Sequence, residues 1–183
     1  MSRTSVLTLA AVVVAAVLGF ATLRSFAADD ASMPQIGQNA PNFTLPSEEN
    51  TPVSLHTYRG KWVVLYFYPK DMTQGCTIEA HNFQRDMDKY HADNAIVLGV
   101  SVDSVDSHKE FCAKDGLGFT LLSDSTKKVV AEYGSLNGVY GMANRNTFLI
   151  NPHGKIVKVW TKVNPSVHSE EVLTALADFQ KKG

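Results

Sequence analysis

The chain has 183 residues, of which 44% are hydrophobic and 19% are charged, with two cysteines and a formal net charge of −1. This length and composition fit one compact domain with a hydrophobic core. Because basic and acidic residues nearly balance, no basic surface for nucleic acid is expected, and nucleic-acid binding is excluded as a predicted function.

The first 27 residues differ in composition from the rest of the chain. Arg3 precedes an apolar run over residues 7–18, and the small residues around Ala27 are typical of a signal peptidase site. We therefore expect a signal peptide over residues 1–27 and export, for example to the periplasm. The alternative is a retained membrane anchor, because residues 4–23 carry no charge and are nearly long enough to span a bilayer. A membrane is an expected partner only in that second case.

From residue 38 to residue 183 the pattern predicts one domain of alternating strands and helices, preceded by a flexible linker over residues 28–37. This order is typical of an α/β protein with a mixed central sheet and helices on both faces. The predicted elements are short strands over 40–46 and 52–55, a strand over 62–68, a helix over 76–91, a strand over 95–102, a helix over 105–114, a strand over 119–122, a helix over 126–133, a hairpin of strands over 147–150 and 155–161, and a helix over 169–182.

The strand over residues 62–68 and the loop after it are the most informative part of the sequence. Seven consecutive apolar or aromatic residues are typical of a central strand that is buried on both faces, and Pro69 ends the pairing because it has no N–H. Helical spacing begins near Cys76, so we expect this cysteine in the first turn of a helix. Unpaired amides and the positive end of the helix dipole stabilise a thiolate there. The sequence thus predicts a reactive cysteine close to the end of a rigid strand.

Four further residues are expected beside this sulfur. The hydroxyl of Thr73 and the bare backbone of Gly75 suit a small polar substrate such as a peroxide, whose departing oxygen needs fixed donors. Arg145 is the best candidate for a cationic donor, because it leads into the strand over 147–150. Glu79 lies one turn beyond the cysteine, and we expect it to pair with Arg145 and orient the guanidinium.

The segment over residues 66–80 resembles the active-site segment of peroxiredoxins, in particular of the bacterioferritin-comigratory (PrxQ) subfamily, with its Pro-x-x-x-Thr-x-x-Cys core. Similar segments follow in the right order, so that the resemblance covers about residues 38–183. It implies a thioredoxin fold and a thiol peroxidase. The other similar segments lie over residues 40–45, 121–124 and 145–150.

The resemblance also implies roles for four residues. Cys76 is similar to the peroxidatic cysteine, Thr73 and Arg145 to the residues that position the peroxide, and Pro69 to the residue that shields the pocket. Three positions differ from the family pattern. His81 stands where many members have a resolving cysteine, and Gln74 and Gly118 stand where proline is usual.

Cys112 is the other thiol of the chain, 36 residues after Cys76. Some members of the subfamily resemble this arrangement, with the resolving cysteine in the helix after the next strand, and we hypothesise a Cys76–Cys112 disulfide after oxidation. The alternative is a helical cysteine that packs as a small hydrophobe while an external thiol resolves Cys76.

Partners and rival functions follow from the same residues. The six histidines show no ligand spacing, so we expect no metal and no cofactor. A thioredoxin-like or small-thiol reductant and a monomeric enzyme are expected.

A dithiol oxidoreductase would need a second cysteine where Glu79 stands. A non-enzymatic redox sensor would use the same thiolate, and only turnover distinguishes it from a peroxidase.

Overall fold

The computed structural model describes residues 33–181, so the predicted signal peptide lies outside the described residues. Across this range the element types follow the predicted order. In chain order the elements are β1 (Thr44–Pro46), β2 (Pro52–Ser54), a 3-10 turn (Leu55–Tyr58), β3 (Trp62–Phe67), α1 (Gln74–Arg85), α2 (Met87–Ala92), β4 (Ala95–Ser101), α3 (Val105–Asp115), β5 (Thr120–Ser123), α4 (Lys128–Glu132), β6 (Thr147–Ile150), β7 (Ile156–Trp160) and α5 (His168–Gln180).

A mixed five-stranded sheet in the order β5-β4-β3-β6-β7 forms the centre, and β1 and β2 form a separate antiparallel pair. Strand β3 is parallel to β4 and antiparallel to β6, which makes it the middle strand, as its continuous apolar pattern predicts. The predicted hairpin of β6 and β7 is also confirmed. The thioredoxin-type α/β architecture therefore places the end of β3 in the middle of one sheet edge.

Helices cover both faces of the sheet, and alternate residues of β3 point to each face. One face carries α1, α2, α3 and α5, whereas the other carries α4 and the β1-β2 pair. Tyr66 and Val64 of β3 belong to the first core, and Val63 and Leu65 belong to the second. Burial on both faces stabilises β3 as a rigid support for the loop that follows it.

Two predicted helices have different bounds in the structure. The helix predicted over 76–91 begins at Gln74 and is interrupted at Asp86, where α1 ends and α2 begins. The Asp86 carboxylate accepts hydrogen bonds from Arg85, Lys89 and Ser169, which stabilise this break. Helix α4 starts only after Lys127, because that residue has a left-handed backbone with φ of 63°.

The chain already contacts the body of the domain before residue 38. The amide of Gly37 donates to the carbonyl of Ile156 on β7 at 2.8 Å. A Cβ built on Gly134 would lie 2.7 Å from Cα of Met33, so these two backbones are in close approach. Among residues 33–181 no helix is long and apolar enough to cross a membrane.

Candidate active site

Cys76 is the third residue of α1 and therefore lies in the first turn, as predicted. The six-residue loop between β3 and α1 begins at Tyr68, includes the half-buried Pro69, and turns through Met72, whose φ is 57°. The first intrahelical bond of this turn runs from Thr77 N–H to the Thr73 carbonyl at 2.9 Å. The amides before Thr77 have no acceptor within the helix, so the positive end of the helix dipole lies at the turn that carries Cys76.

Arg145 lies beside the Cys76 sulfur because of the pairing between β3 and β6. Tyr66 of β3 faces Thr147 of β6, and this register brings the residues just before β6 to the end of β3. As a result Nη2 of Arg145 donates to Sγ of Cys76 at 3.4 Å. The structure thus brings together the two residues that the sequence pattern assigned to one site.

Glu79 completes this contact from the next turn of α1. Its Oε2 accepts a hydrogen bond from Nη1 of Arg145, and the carboxylate is fully buried. Burial raises the pKa of the Glu79 carboxyl to about 7, and the Arg145 guanidinium opposes part of that rise. Burial also lowers the pKa of Arg145, but Glu79 and Cys76 outweigh this effect and raise it. The cation is therefore held between a carboxylate and the sulfur.

Gly75 lies against Arg145, and Thr73 is the exposed N-cap residue of α1. A Cβ on Gly75 would be only 3.2 Å from Nη2 of Arg145, so any side chain there would displace the guanidinium. The hydroxyl of Thr73 donates to the Lys70 carbonyl at 2.9 Å, which leaves its oxygen free to accept a hydrogen bond. Because Cys76 itself is only 1% exposed, a substrate must be small to reach the sulfur.

Cys112 is a free thiol on α3 and is not joined to Cys76. It is half-buried and packs against the same core as α1. Burial raises the pKa of the Cys112 thiol to about 12, with further contributions from the carboxylates of Glu48, Asp71 and Glu49. The folded structure therefore keeps this second thiol protonated, in contrast to the cationic surroundings of the first.

Two of the three residues that depart from the family pattern, His81 and Gly118, form hydrogen bonds in the structure. His81 lies 3.0 Å from Asp115, so the position usual for a resolving cysteine instead joins α1 to the end of α3. The amide of Gly118 donates to Oε1 of Gln84 at 2.6 Å, a bond that proline could not make.

Several residues of the site escaped the sequence analysis. Pro165, in the loop before α5, lies on the other side of Gly75, 3.8 Å from where a Cβ would be. The buried His168 bonds to Thr147 at 2.8 Å, and its pKa is lowered to about 4 by burial and by Arg145. No spacing in the sequence indicates these contacts, because they depend on how α5 returns to α1.

The buried Asp71 and His108 also contact each other at 2.8 Å, although they are 37 residues apart in the chain. His108 lies four residues before Cys112, which places both on one side of α3. Across residues 33–181 no cluster of three or more histidine, cysteine or acidic side chains is arranged to hold a metal ion.

Comparisons with known proteins show the family of this chain. The AhpC/TSA family matches residues 36–159. Peroxiredoxin Bcp of Bacillus subtilis is 38% identical over 154 residues, which cover 81% of this chain and 98% of that protein. A putative peroxiredoxin bcp of Coxiella burnetii is 43% identical over 148 residues, 78% of this chain and 98% of that protein.

Solved structures show the same similarity. A mutant of PrxQ from Xylella fastidiosa is 38% identical with a TM-score of 0.76, over 81% of this chain and 99% of that chain. The bacterioferritin comigratory protein of Xanthomonas campestris, whose structure concerns its alkyl peroxide reduction activity, is 35% identical with a TM-score of 0.73, over 82% of this chain and 99% of that chain.

Proposed function

This chain belongs to the AhpC/TSA family and to its Bcp/PrxQ peroxiredoxins, which makes it a thiol-dependent peroxidase, and we propose that Cys76 and Cys112 carry out its cycle as a pair. The observation that carries the proposal is the contact of the Cys76 sulfur with Arg145, whose other nitrogen is held by buried Glu79. A cation fixed beside a sulfur at a helix N-terminus favours a thiolate and an approaching peroxide alike.

In the first step the Cys76 thiolate attacks one oxygen of the peroxide. The S–O bond forms while the O–O bond breaks, and the departing oxygen leaves as hydroxide or alkoxide, which takes a proton to become water or alcohol. Arg145 stabilises the charge on this oxygen, and the Thr73 oxygen accepts a hydrogen bond from the peroxide and aligns it. Cys76 is then a sulfenic acid.

In the second step Cys112 resolves the sulfenic acid. Its sulfur attacks Sγ of Cys76, the disulfide forms, and the hydroxyl leaves with the thiol proton as water. The folded helix keeps Cys112 protonated, since burial raises its pKa to about 12. When α3 unfolds locally, Cys112 becomes exposed to water and the pKa of its thiol returns towards the usual value. The movement that lets Cys112 reach Cys76 therefore also makes its thiol more reactive.

A dithiol reductant of thioredoxin type then returns the disulfide to two thiols, and hydrogen peroxide and organic hydroperoxides are the substrate class we propose. We also propose that the protein acts as a monomer outside the cytoplasm, because residues 1–27 have the pattern of a signal peptide. Fractionation of the cells checks this location, and the intact mass of the recovered protein distinguishes a cleaved signal peptide from a retained membrane anchor.

Peroxide consumption by wild type, Cys76→Ser and Cys112→Ser, with a thioredoxin-type donor, tests the cycle. We expect Cys76→Ser to lose all activity, and Cys112→Ser to complete the first step but not to recycle. Mass spectrometry after one equivalent of peroxide should find the Cys76–Cys112 disulfide in wild type. A lasting Cys76 sulfenate or sulfinate beside a free Cys112 thiol would instead indicate an external resolving thiol, and a single turnover with every donor would indicate a sensor.

A further inference from the structure

A buried polar cluster joins the loop after β3 to helix α3, and the chemistry described so far does not use it. Asp71, which is 4% exposed, lies at its centre. Its carboxylate accepts hydrogen bonds from Tyr68 Oη at 2.6 Å, Ser107 Oγ at 2.7 Å and His108 Nδ1 at 2.8 Å. Two of these three donors are on α3, so the cluster is a direct polar link between α3 and the loop that leads to Cys76.

The contact between Asp71 and His108 anchors α3 to the loop after β3. Burial raises the pKa of Asp71, but the bonds from His108, Tyr68 and Ser107 outweigh it and lower the pKa, so the carboxylate is charged. Since a carboxylate only accepts, Nδ1 of His108 carries the proton. Nε2 of His108 is buried and has no hydrogen-bond partner within residues 33–181, so the ring is held through Nδ1.

This anchor lies one helical turn before the thiol of Cys112. Residues four apart are neighbours on one side of a helix, so His108 and Cys112 share the inward side of α3. Any release of Cys112 that extends towards the start of the helix must therefore break the contact of His108 with Asp71.

The two cysteines face different parts of the sheet. The Cys76 sulfur points to Arg145, which precedes β6, whereas α3 connects β4 to β5 on the other side of β3. A disulfide requires a Cα separation of about 4.4–6.8 Å. Both cysteines are free, and the Cys76 sulfur is engaged by Arg145 on the β6 side rather than facing α3, so α3 must leave its position before the bond can form.

We propose that His108 is a positioning residue that holds α3 in place through Asp71, and that breaking this contact limits the rate at which Cys112 reaches the oxidised Cys76. The inference rests on the proposed function, because the step concerned is the resolution of the Cys76 sulfenic acid. That step forms the S–S bond, breaks the S–O bond and releases water, and it needs no further reactant.

The test compares His108→Leu with His108→Asn. Leucine fills the space without a donor, whereas the asparagine Nδ2 takes the place of Nδ1 and keeps the bond to Asp71. Each reduced protein receives one equivalent of hydrogen peroxide, is quenched at set times with a thiol alkylator, and is analysed by mass spectrometry. Amide exchange over residues 105–112 of the reduced proteins is measured in parallel, with His91→Leu, at an exposed position of α2, as the matched control.

We expect His108→Leu to convert sulfenate to disulfide roughly tenfold faster than wild type, because a hydrogen bond to a charged group changes an equilibrium by about that factor. Its amide exchange in α3 should rise similarly, and its sulfinate yield at excess peroxide should fall. His108→Asn should match wild type. Ser107→Ala, which removes one neighbouring bond, should change the rate in the same direction by less.

Three results would overturn the inference: an unchanged or slower resolution rate in His108→Leu, the same acceleration in His108→Asn, or unchanged exchange in α3. General damage to the fold is recognisable, because it would slow the first step as well. If wild type itself formed no Cys76–Cys112 disulfide, the proposed cycle would be wrong. If the disulfide formed at equal rates in all variants, the cycle would stand and only the role of His108 would be wrong.

Discussion

Cys76 and Cys112 lie on neighbouring helices over the same face of one sheet, yet opposite charges surround them. Cys76 is at a helix N-terminus with Arg145 at 3.4 Å, whereas Cys112 is in the second half of α3 near the carboxylates of Glu48 and Asp71. Cys76 is buried and Cys112 is half-buried. The difference teaches that burial alone does not decide whether a cysteine reacts, because burial disfavours any thiolate, and the charges near the sulfur either oppose this effect or add to it.

The largest expected effect comes from replacing the guanidinium of Arg145 beside Cys76. Arg145→Lys keeps the charge but cannot contact both Glu79 and the sulfur, so the rate of sulfenate formation should fall by about 10²–10³. Rapid-quench kinetics with hydrogen peroxide measures this rate. Arg85→Lys, which changes a half-exposed arginine on α1, the helix that carries Cys76, is the matched control and should retain the wild-type rate. Equal rates for both variants would contradict the role of Arg145.

The second prediction concerns the carboxylate behind that cation. Because burial raises the pKa of Glu79 from 4.5 to about 7, the folded protein binds a proton that the unfolded chain has already lost between these pH values. The free energy of unfolding of wild type should therefore decrease as the pH rises through this window. Glu79→Gln removes the titration, so its stability relative to wild type should increase from pH 5 to pH 8, by at most about 3 kcal/mol.

Urea unfolding at the two pH values measures this change in relative stability. Glu110→Gln, at an exposed position of α3, should follow the wild-type dependence. If the free energy of unfolding of Glu79→Gln had the same pH dependence as that of wild type, the Glu79 carboxyl would have the same pKa in the folded and the unfolded protein, and the prediction would be wrong.

The smallest expected effect lies on the Cys112 side. Glu48→Gln removes one carboxylate that helps to raise the pKa of Cys112, while an amide oxygen can still accept the Leu121 N–H. Since Glu48 is partly exposed, alkylation of Cys112 in the Cys76→Ser background should accelerate only about twofold. Glu132→Gln, on the opposite face of the sheet, should leave alkylation unchanged. A rate that did not respond to Glu48→Gln would show that the Glu48 carboxylate does not control this thiol.

The sequence by itself was sufficient for those parts of the protein that depend on neighbours in the chain. The apolar run over residues 62–68 predicted the central strand, Pro69 its end, and the spacing after Cys76 the helix with the cysteine in its first turn. The pairing of Arg145 with Glu79 could also be predicted, because their charges are complementary and Arg145 directly precedes the strand over residues 147–150. These features arise from backbone geometry and side-chain type within short segments.

Only the tertiary structure decided the contacts between segments far apart in the chain. Asp71 meets His108 across 37 residues, and Pro165 reaches Gly75 because α5 packs back on α1. The break at Asp86 also depends on Ser169, which is 83 residues away. A single sequence shows which residues are polar or apolar, but not which distant one will lie opposite. That choice is made when the whole core packs and every buried polar group must find a partner.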